Sequence, residues 1–511
     1  MKKKIISSFA LFIMNTSLFA LTNPEHSTTQ YFEKIKNDPQ QLLLFLQDMP
    51  KGGDLHNHHG GATMAENMIR YSVGDHMCLD KKTLSVTINT QCSPENYLEN
   101  SLRDSALYNS IIDAWSMRFF VPGRESGHDH FFATFGKFYP IVDAHSAEIL
   151  AEIVERAGAQ NESYLELLMT SENGAVITLA NQIDWDGNLT LMREKLLAAG
   201  LGNIVRTISK NFNADETKLK NILACGTKNE KPGCDVKIRY VYLTLREQPP
   251  AQVYAQLVAG FELANKDVRF VGINMVQPED GILSMQDYRL HMQMVSFLHE
   301  LYPNVHITLH AGELTQGLVP PEGLRFHIRD AVEIAHAERI GHGIDIAYEQ
   351  NAEQLLNEMA KKNIDVEINL SSNADILGVK GNDHPLPLYL RYHVPVTLST
   401  DDEGVLRSNM TEQYLKAILT YHFSYATVKE IVRNSISYSF LPGKNLWEDQ
   451  EHHRVVTACA KDTLGDTKYS ASCQAFLNTN EKARLQWDLE SRFMLFEKKY
   501  AFINNIKITL A

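Results

Sequence analysis

Residues 305–313 read VHITLHAGE, a short run of β-branched and apolar side chains that ends in a histidine and a glutamate. Such a run predicts a buried strand that is followed directly by polar groups. Similar runs recur along the chain at 54–59, 163–169, 236–246, 268–276, 339–345, 364–370 and 395–400. The stretches between them suit amphipathic helices, as at 143–157 and 351–362. Eight strands that alternate with helices predict a closed (β/α)8 barrel of the TIM type.

A doubly wound open sheet is the alternative to the barrel. It would want a GxGxxG phosphate-binding turn after the first strand, and the residues after 54–59 carry none. We therefore assign 51–442 to the barrel, with 77–127 as an insertion after the first strand. A helical extension is predicted at 21–50 and a helical region, packed on the barrel, at 443–511. A predicted core stripe in that region has helical spacing and consists of Leu485, Leu489, Phe493, Phe496 and Tyr500.

The net charge bears on the partners of the protein, and its first residues bear on its cellular location. The 511-residue chain has 49 lysines and arginines against 62 acids, a net charge of −13 that disfavours nucleic acid as a partner. Residues 1–20 carry three lysines, an apolar run and a closing Ala20, which predicts a secretory signal peptide; an uncleaved anchor is the alternative. No later apolar run approaches membrane length. The sequence thus predicts an exported protein, periplasmic or secreted, without a membrane span after cleavage.

The six cysteines fall into three local couples. Export makes disulfides chemically permissible, although the sequence does not fix their connectivity. Pairing within each couple is the simplest choice, and no CxxC spacing suggests a cysteine zinc site or a redox centre. The predicted disulfides are therefore Cys78 with Cys92, Cys225 with Cys234, and Cys459 with Cys473.

Histidines and carboxylates stand at the ends of several predicted strands. His56 and His58 are two residues apart, which places both imidazoles on the same side of the first strand. Active sites of barrel enzymes lie at the C-terminal ends of the strands, so groups far apart in sequence can converge there. The other strand-end candidates are His310, Glu313, His342, Asp401 and Asp402.

These residue types suit metal-assisted hydrolysis. Three neutral histidines and a carboxylate match Zn2+, which lowers the pKa of a bound water to about 7. Glu313 is placed to donate or accept a proton. A lone strand-end histidine is more often a packing residue, but HxH, HAGE, GHG and TDD in this order are a much stronger signal together. Hydrolytic attack on an sp2 carbon is the chemistry they indicate.

Six stretches carry a resemblance to a known family. Together with weaker strand matches they cover about 48–442, and they resemble the adenosine deaminase family of metal-dependent amidohydrolases. The signal segment, the extension and the insertion are more similar to its secreted, growth-factor-type branch. The matching stretches are MPKGGDLHNHHGGA (49–62), HAGE (310–313), RIGHGID (339–345), SSN (371–373), HPLP (384–387) and LSTDDEGV (398–405).

The resemblance implies a role for each residue. Glu313 would protonate the purine ring nitrogen N1, and His342 would orient the attacking water or also take its proton. Asp402 would accept a hydrogen bond from the base. The reaction implied is deamination of adenosine, and of 2′-deoxyadenosine, to inosine and ammonia. One zinc ion would be held by His56, His58, His310 and Asp401.

Two departures from the family pattern concern the substrate. Gly60 stands where the compact enzymes carry an aspartate that contacts the ribose 5′-hydroxyl. Gln277 stands where a glycine backbone usually meets the purine, and it remains a substrate-binding candidate. Another 6-aminopurine, such as a 5′-modified adenosine or adenine, is the alternative substrate, and a non-catalytic extracellular binding or signalling protein is the alternative class. The resembling branch also implies a homodimer through 21–50, against an extension that caps the chain's own barrel.

Overall fold

The computed structural model describes residues 23–88, 91–450 and 452–510, with the backbone alone for 505–510. The predicted signal segment 1–20 lies outside the described residues. Eight parallel strands pair in chain order to form one sheet. They are β1 (Gly52–His58), β2 (Glu162–Met169), β3 (Lys237–Leu245), β4 (Phe270–Val276), β5 (His306–Ala311), β6 (Arg339–His342), β7 (Asp365–Ile368) and β8 (Val396–Leu398).

The sheet comes round on itself just beyond β8. The amide of Asp401 donates to His56 O at 2.9 Å, and the amide of His58 donates to Asp401 O at 2.9 Å. The predicted TIM-type barrel is therefore confirmed, with all eight strands where the sequence placed them. Five strands end one to three residues earlier than predicted. For β6 the reason is that the chain turns at His342 and Gly343, both with positive φ, and for β7 it is that a helix begins at Leu370.

Helices surround the barrel, as the alternating pattern requires. Both sequence-predicted segments are helical, over Ser146–Ala159 and Ala352–Lys362. The other helices from β1 to the end of the barrel are His59–Ala62, Ala65–Tyr71, Ser105–Ala114, Gly127–Ala144, Asn173–Ala180, Leu189–Ala198, Leu201–Ile222, Pro250–Lys266, Ile282–Leu301, His327–Glu333, Leu370–Ile376, Leu386–Arg391, Glu403–Leu406, Met410–Tyr421 and Tyr425–Ser437. Short 3-10 turns occupy Pro94–Asn96, Leu98–Arg103, Pro232–Asp235, Pro321–Leu324, Ile346–Tyr348 and Gly381–Asp383.

The two ends of the described chain pack together. The extension forms helices Pro24–Ile35 and Pro39–Asp48, and the last helix is Glu481–Leu510. The Phe45 ring lies 4.6 Å from that of Tyr500 and 4.9 Å from that of Phe496, between centroids. All five residues of the predicted core stripe are buried. The extension thus packs on this chain's own C-terminal helix, and the homodimer stays a prediction.

The C-terminal region is not helical throughout, which corrects the prediction for 443–511. Residues 444–470 contain two short paired strands, Trp447–Asp449 and Arg454–Val455, before the helix Ala471–Thr479. A separate apolar cluster that includes Leu446, Trp447 and Trp487 holds this segment. Such packing joins residues distant in sequence, so helical spacing alone did not reveal it.

The insertion after β1 also contains a small strand pair, Cys78–Asp80 with Ser85–Thr87. The three predicted local disulfides are confirmed: Cys78–Cys92, Cys225–Cys234 and Cys459–Cys473. They tie the insertion, the connection before β3 and the C-terminal segment, not the barrel core. A search of the described helices found none with the length and apolar character that a membrane crossing needs.

Candidate active site

The barrel brings four of the predicted residues to one point. His56 Nε2 and His58 Nε2 lie 3.0 and 3.1 Å from His310 Nε2. Asp401 Oδ1 lies 3.4 Å from His56 Nε2 and 3.2 Å from His58 Nε2. All four side chains are buried, and each directs one potential ligand atom to the same place.

The outer ring nitrogens show that these histidines present lone pairs to one another. His56 Nδ1 lies 2.7 Å from Glu367 Oε2, and Arg339, acting against burial, holds the pKa of that carboxyl at about 2. His310 Nδ1 lies 2.9 Å from Asn274 Oδ1. Because both oxygens accept, both Nδ1 atoms donate, so when the two rings are neutral their Nε2 lone pairs face each other.

Such an arrangement fits a cation. Facing lone pairs repel unless a positive charge lies between them. A tetrahedron with zinc–ligand bonds of about 2.0–2.1 Å has edges of roughly 3.3–3.4 Å, close to the spacings given above. The donor set of three imidazoles and one carboxylate therefore fits Zn2+.

Backbone strain marks the same region. Asp401, His342 and Gln277 have φ of 61°, 68° and 88°, in the left-handed region that side chains other than glycine seldom adopt. For Asp401 the cause is visible, because its amide and carbonyl are both bonded to β1. Strain of this kind persists where the surrounding structure imposes it, and it concentrates at functional sites.

Glu313 stands beside the four-residue cluster on the loop after β5. Its own amide and that of Gly312 donate to the Glu279 carboxylate at 2.8 and 3.0 Å, and His327 Nδ1 donates to the same carboxylate at 2.6 Å. Burial, reinforced by the charges of Asp401 and Glu279, raises the pKa of Glu313 to about 8. The group is therefore a protonated acid at neutral pH.

Replacing Glu279 by glutamine tests whether this carboxylate positions Glu313. One carboxylate oxygen becomes an NH2 group that faces N–H donors, so the loop must shift. We expect E279Q to lower kcat/KM roughly tenfold to a hundredfold with metal content unchanged. The matched control is E349Q, since Glu349 also accepts two backbone amides, those of Ile328 and Arg329. Equal rates for E279Q and E349Q would contradict the positioning role.

Asp402 and His342 complete the predicted set. Asp402 is buried, and its Oδ1 has no hydrogen-bond partner among the described residues. A side chain at Gly61 would collide with Asp402, which explains the glycine there. His342, at the end of β6, is buried, and Glu313 Oε1 lies 3.6 Å from its Nδ1.

A cavity of about 930 Å³ opens onto these groups. Glu313, His342, Asp401 and Asp402 line it, together with Gln277. Helix Gly127–Ala144 supplies an aromatic wall to the cavity. Three carboxylates line it in addition to those of Glu313, Asp401 and Asp402. Among the described lining residues none is lysine or arginine. The aromatic residues are Phe131, Phe132, Phe135 and Tyr139, and the carboxylates are Asp143, Glu172 and Asp215.

The two departures from the family pattern have structural counterparts. Gln277 keeps a positive φ that glycine would adopt easily, and its Oε1 accepts from the Glu247 amide at 2.9 Å. At Gly60, a side chain would lie 3.3 Å from the Tyr139 ring, so the ring occupies the space beside this position. Position 277 thus has a backbone conformation that suits glycine, and the space beside residue 60 is taken by the Tyr139 ring.

Some residues of the site were not identified from the sequence. Glu367 and Asn274, which hold the ligand histidines, lie inside buried strands (IDVEINL and VGINMV). A polar residue inside an apolar strand is the signal that would have found them, because burial requires a partner. Glu279 and Asn373 lie outside the strands. The only sequence signals near them were the loop after the fourth strand for Glu279 and the SSN motif for Asn373.

Three histidines and an aspartate meet at the C-terminal end of the parallel barrel, beside a buried glutamic acid, an arrangement typical of metal-dependent hydrolases. The profile of the family described as adenosine deaminase matches residues 207–448. Over these residues the chain is similar to the adenosine deaminase family, in agreement with the resemblance that its sequence motifs carry. The growth-factor-type branch stays a prediction.

Individual relatives agree with this assignment. An adenosine deaminase from Clostridium perfringens is 30% identical over 208 residues, 40% of this chain and 57% of that protein. One from Clostridium acetobutylicum is 34% identical over 137 residues, 27% of this chain and 38% of that protein. The chain thus spans 57% of the length of the first relative and 38% of that of the second. The N6-methyl-AMP deaminase of Arabidopsis thaliana shares the fold, with a TM-score of 0.51 and 18% identity, covering 81% of this chain and 97% of that one.

Proposed function

We propose that the protein is a zinc-dependent hydrolase that deaminates adenosine, and 2′-deoxyadenosine, to inosine and ammonia. One observation carries the proposal: His56, His58, His310 and Asp401 form a buried cluster, and three of them, His58, His310 and Asp401, line the same cavity as the protonated Glu313. Similarity to the family supports the same reaction class. When bound at the cluster, zinc supplies Lewis acidity, which favours hydroxide at neutral pH and stabilises developing negative charge.

The side chains of the cavity perform the remaining steps. Glu313 donates its proton to N1 of the purine, which makes C6 more electrophilic and neutralises charge that enters the ring. The unpartnered Oδ1 of Asp402 accepts a hydrogen bond from the base and places it. The aromatic wall from helix Gly127–Ala144 covers the substrate and excludes water from the reacting groups.

Charge in the cavity favours a nucleoside over a nucleotide. A 5′-phosphate needs lysine, arginine or a similar donor, and the described lining offers none while adding Asp143, Glu172 and Asp215. An uncharged 5′-modified adenosine is the second candidate substrate. The altered surroundings of Gly60 and the size of the cavity favour that candidate specifically.

A substrate panel tests the proposal. Zinc-loaded protein is given adenosine, 2′-deoxyadenosine, 5′-deoxyadenosine, adenine and AMP, and loss of absorbance at the adenine band is followed. We expect kcat/KM for adenosine to exceed that for AMP by roughly 10²-fold or more, since like charges in an enclosed site cost several kcal/mol. Comparable rates on AMP would contradict the charge argument, and no turnover of any aminopurine would contradict the function.

The pH dependence follows from the acid role of Glu313. Its protonated form donates to N1, and burial raises its pKa to about 8. We therefore expect kcat/KM on adenosine to fall as the pH rises through about 8, because deprotonation removes the donor. A pH series with zinc content checked at each point measures this. A rate that rises through the same range would assign the group a base role instead.

A non-catalytic binding or signalling protein is the alternative from another class. It predicts loss of ligand residues, whereas the structure gathers all four. Protein that is purified without added metal and holds no zinc at near-stoichiometric levels would favour it.

We also propose export to a periplasm or to the medium. The apolar segment at 1–20 supports this, as do three disulfides, which form and persist in oxidising compartments. Fractionation of producing cells, with 1–20 present or deleted, tests it.

A further inference from the structure

A row of buried polar groups runs behind His342. The Leu386 amide donates to His384 Nδ1 at 3.1 Å, and His384 Nε2 lies 3.1 Å from Asn373 Oδ1. Asn373 Nδ2 in turn lies 3.0 Å from His342 Nδ1. The side chains of Asn373, His384 and His342 are all buried. No role assigned above uses Asn373 or His384.

The direction of every hydrogen bond in this row is fixed from one end. A backbone amide can only donate, so His384 Nδ1 accepts from Leu386. Burial lowers the pKa of His384 to about 4, so the ring is neutral and carries its single hydrogen on Nε2. That hydrogen is donated to Asn373 Oδ1, which leaves the NH2 group of Asn373 facing His342. His342 Nδ1 is therefore an acceptor.

The contacts at the other end of the His342 ring agree. Asn369 Nδ2 lies 3.5 Å from His342 Nε2, but a neutral imidazole has only one acceptor nitrogen, so both amides cannot donate to it. Asn369 Oδ1 has no partner among the described residues, so this amide can turn without losing a bond. Asn373 cannot turn. Glu313 Oε1, at 3.6 Å from Nδ1, is beyond hydrogen-bond distance.

We propose that Asn373 and His384 are positioning residues that hold His342 as the Nε2–H tautomer. The proposal rests on the deaminase function proposed above. His342 belongs to the Glu313–His342–Asp401 cluster, so fixing its tautomer fixes which of its ring nitrogens can donate and which can accept beside the reacting groups. In this tautomer Nε2 does not accept a proton. Of the two roles that the resemblance implied for His342, the row of hydrogen bonds supports orientation.

An isosteric variant of Asn373 tests this row of hydrogen bonds through its effect on the deaminase activity. N373D replaces the NH2 donor by an oxygen that accepts, which moves the hydrogen of His342 to Nδ1. We expect kcat on adenosine to fall roughly 10²-fold, KM to change less than about threefold, and zinc to be retained. The matched control is N434D, because Asn434 also donates through its amide, to Val396 O at 3.1 Å, away from the site. N434D should leave kcat unchanged.

A second pair of variants changes His384, which is one hydrogen bond further from His342 than Asn373 is. H384Q keeps an N–H that can donate to Asn373 Oδ1, whereas H384L removes it. We expect kcat of H384Q to exceed that of H384L by about tenfold, at similar KM and zinc content. Equal kcat values for the two variants would contradict the proposed positioning role of His384.

Nitrogen NMR of protein labelled with 15N-histidine reads the tautomer directly. The His342 signals are identified by their loss in H342Q. We expect a donor-type Nε2 and an acceptor-type Nδ1 in the zinc-loaded protein, and the reverse in N373D. A donor-type Nδ1 in the unmodified protein would overturn the proposal even if N373D does not fold. If no aminopurine is deaminated, the function fails, while this measurement still decides the tautomer.

Discussion

Glu313→Gln is expected to lower kcat on adenosine by about 10²–10⁴-fold, because proton donation by a placed acid commonly supplies that much acceleration. Glutamine has nearly the shape of the protonated acid and can still form a hydrogen bond to N1, but it cannot deliver a proton. The Glu313 side chain is not among the four predicted zinc ligands, so zinc content should stay near one per chain. Steady-state kinetics with metal analysis on the same sample measure both quantities.

A matched substitution separates the acid role from a general effect of neutralising a buried carboxyl. Glu430 lies outside the cavity lining, and burial raises its pKa to about 7. E430Q should therefore keep the kcat of the unmodified protein. Near-normal turnover in E313Q would show that another group supplies the proton.

Asp401→Ala is expected to remove zinc and, with it, turnover by at least about 10³-fold. Asp401 is the only carboxylate of the four-residue cluster, and its oxygen lies within 3.4 Å of two ligand nitrogens. Without it, three neutral histidines must hold the ion with no anionic ligand to offset its charge. Zinc per chain after dialysis, measured beside kcat, gives the result.

The control for this change is another buried aspartate of the barrel. Asp365 opens β7, accepts from Thr397 Oγ1 at 2.8 Å, and has its pKa raised to about 8 by burial. Because it is protonated at neutral pH, D365N preserves its neutral state and should keep both zinc and activity. Full zinc occupancy in D401A would mean that the four residues do not form the metal site.

Local patterns predicted much of the fold because the forces involved are local. Apolar runs of strand length, such as 236–246, require burial wherever they occur, and their alternation with helical segments leaves few architectures. The same reasoning failed at 444–470, where Trp447 packs against Trp487 from a distant helix. The apolar residues of this segment indicated that it is buried, but not the helix against which it packs.

The residue types and strand-end positions of His56, His58, His310 and Asp401 were determined by the sequence alone, because parallel strands place their C-terminal ends at one rim. The tertiary structure decided which nitrogen of the His56 and His310 rings faces inward, through Glu367 and Asn274. It also decided that the cavity carries acids and no lysine or arginine among its described lining residues. Both depend on contacts between segments far apart in the chain, which residue spacing does not encode.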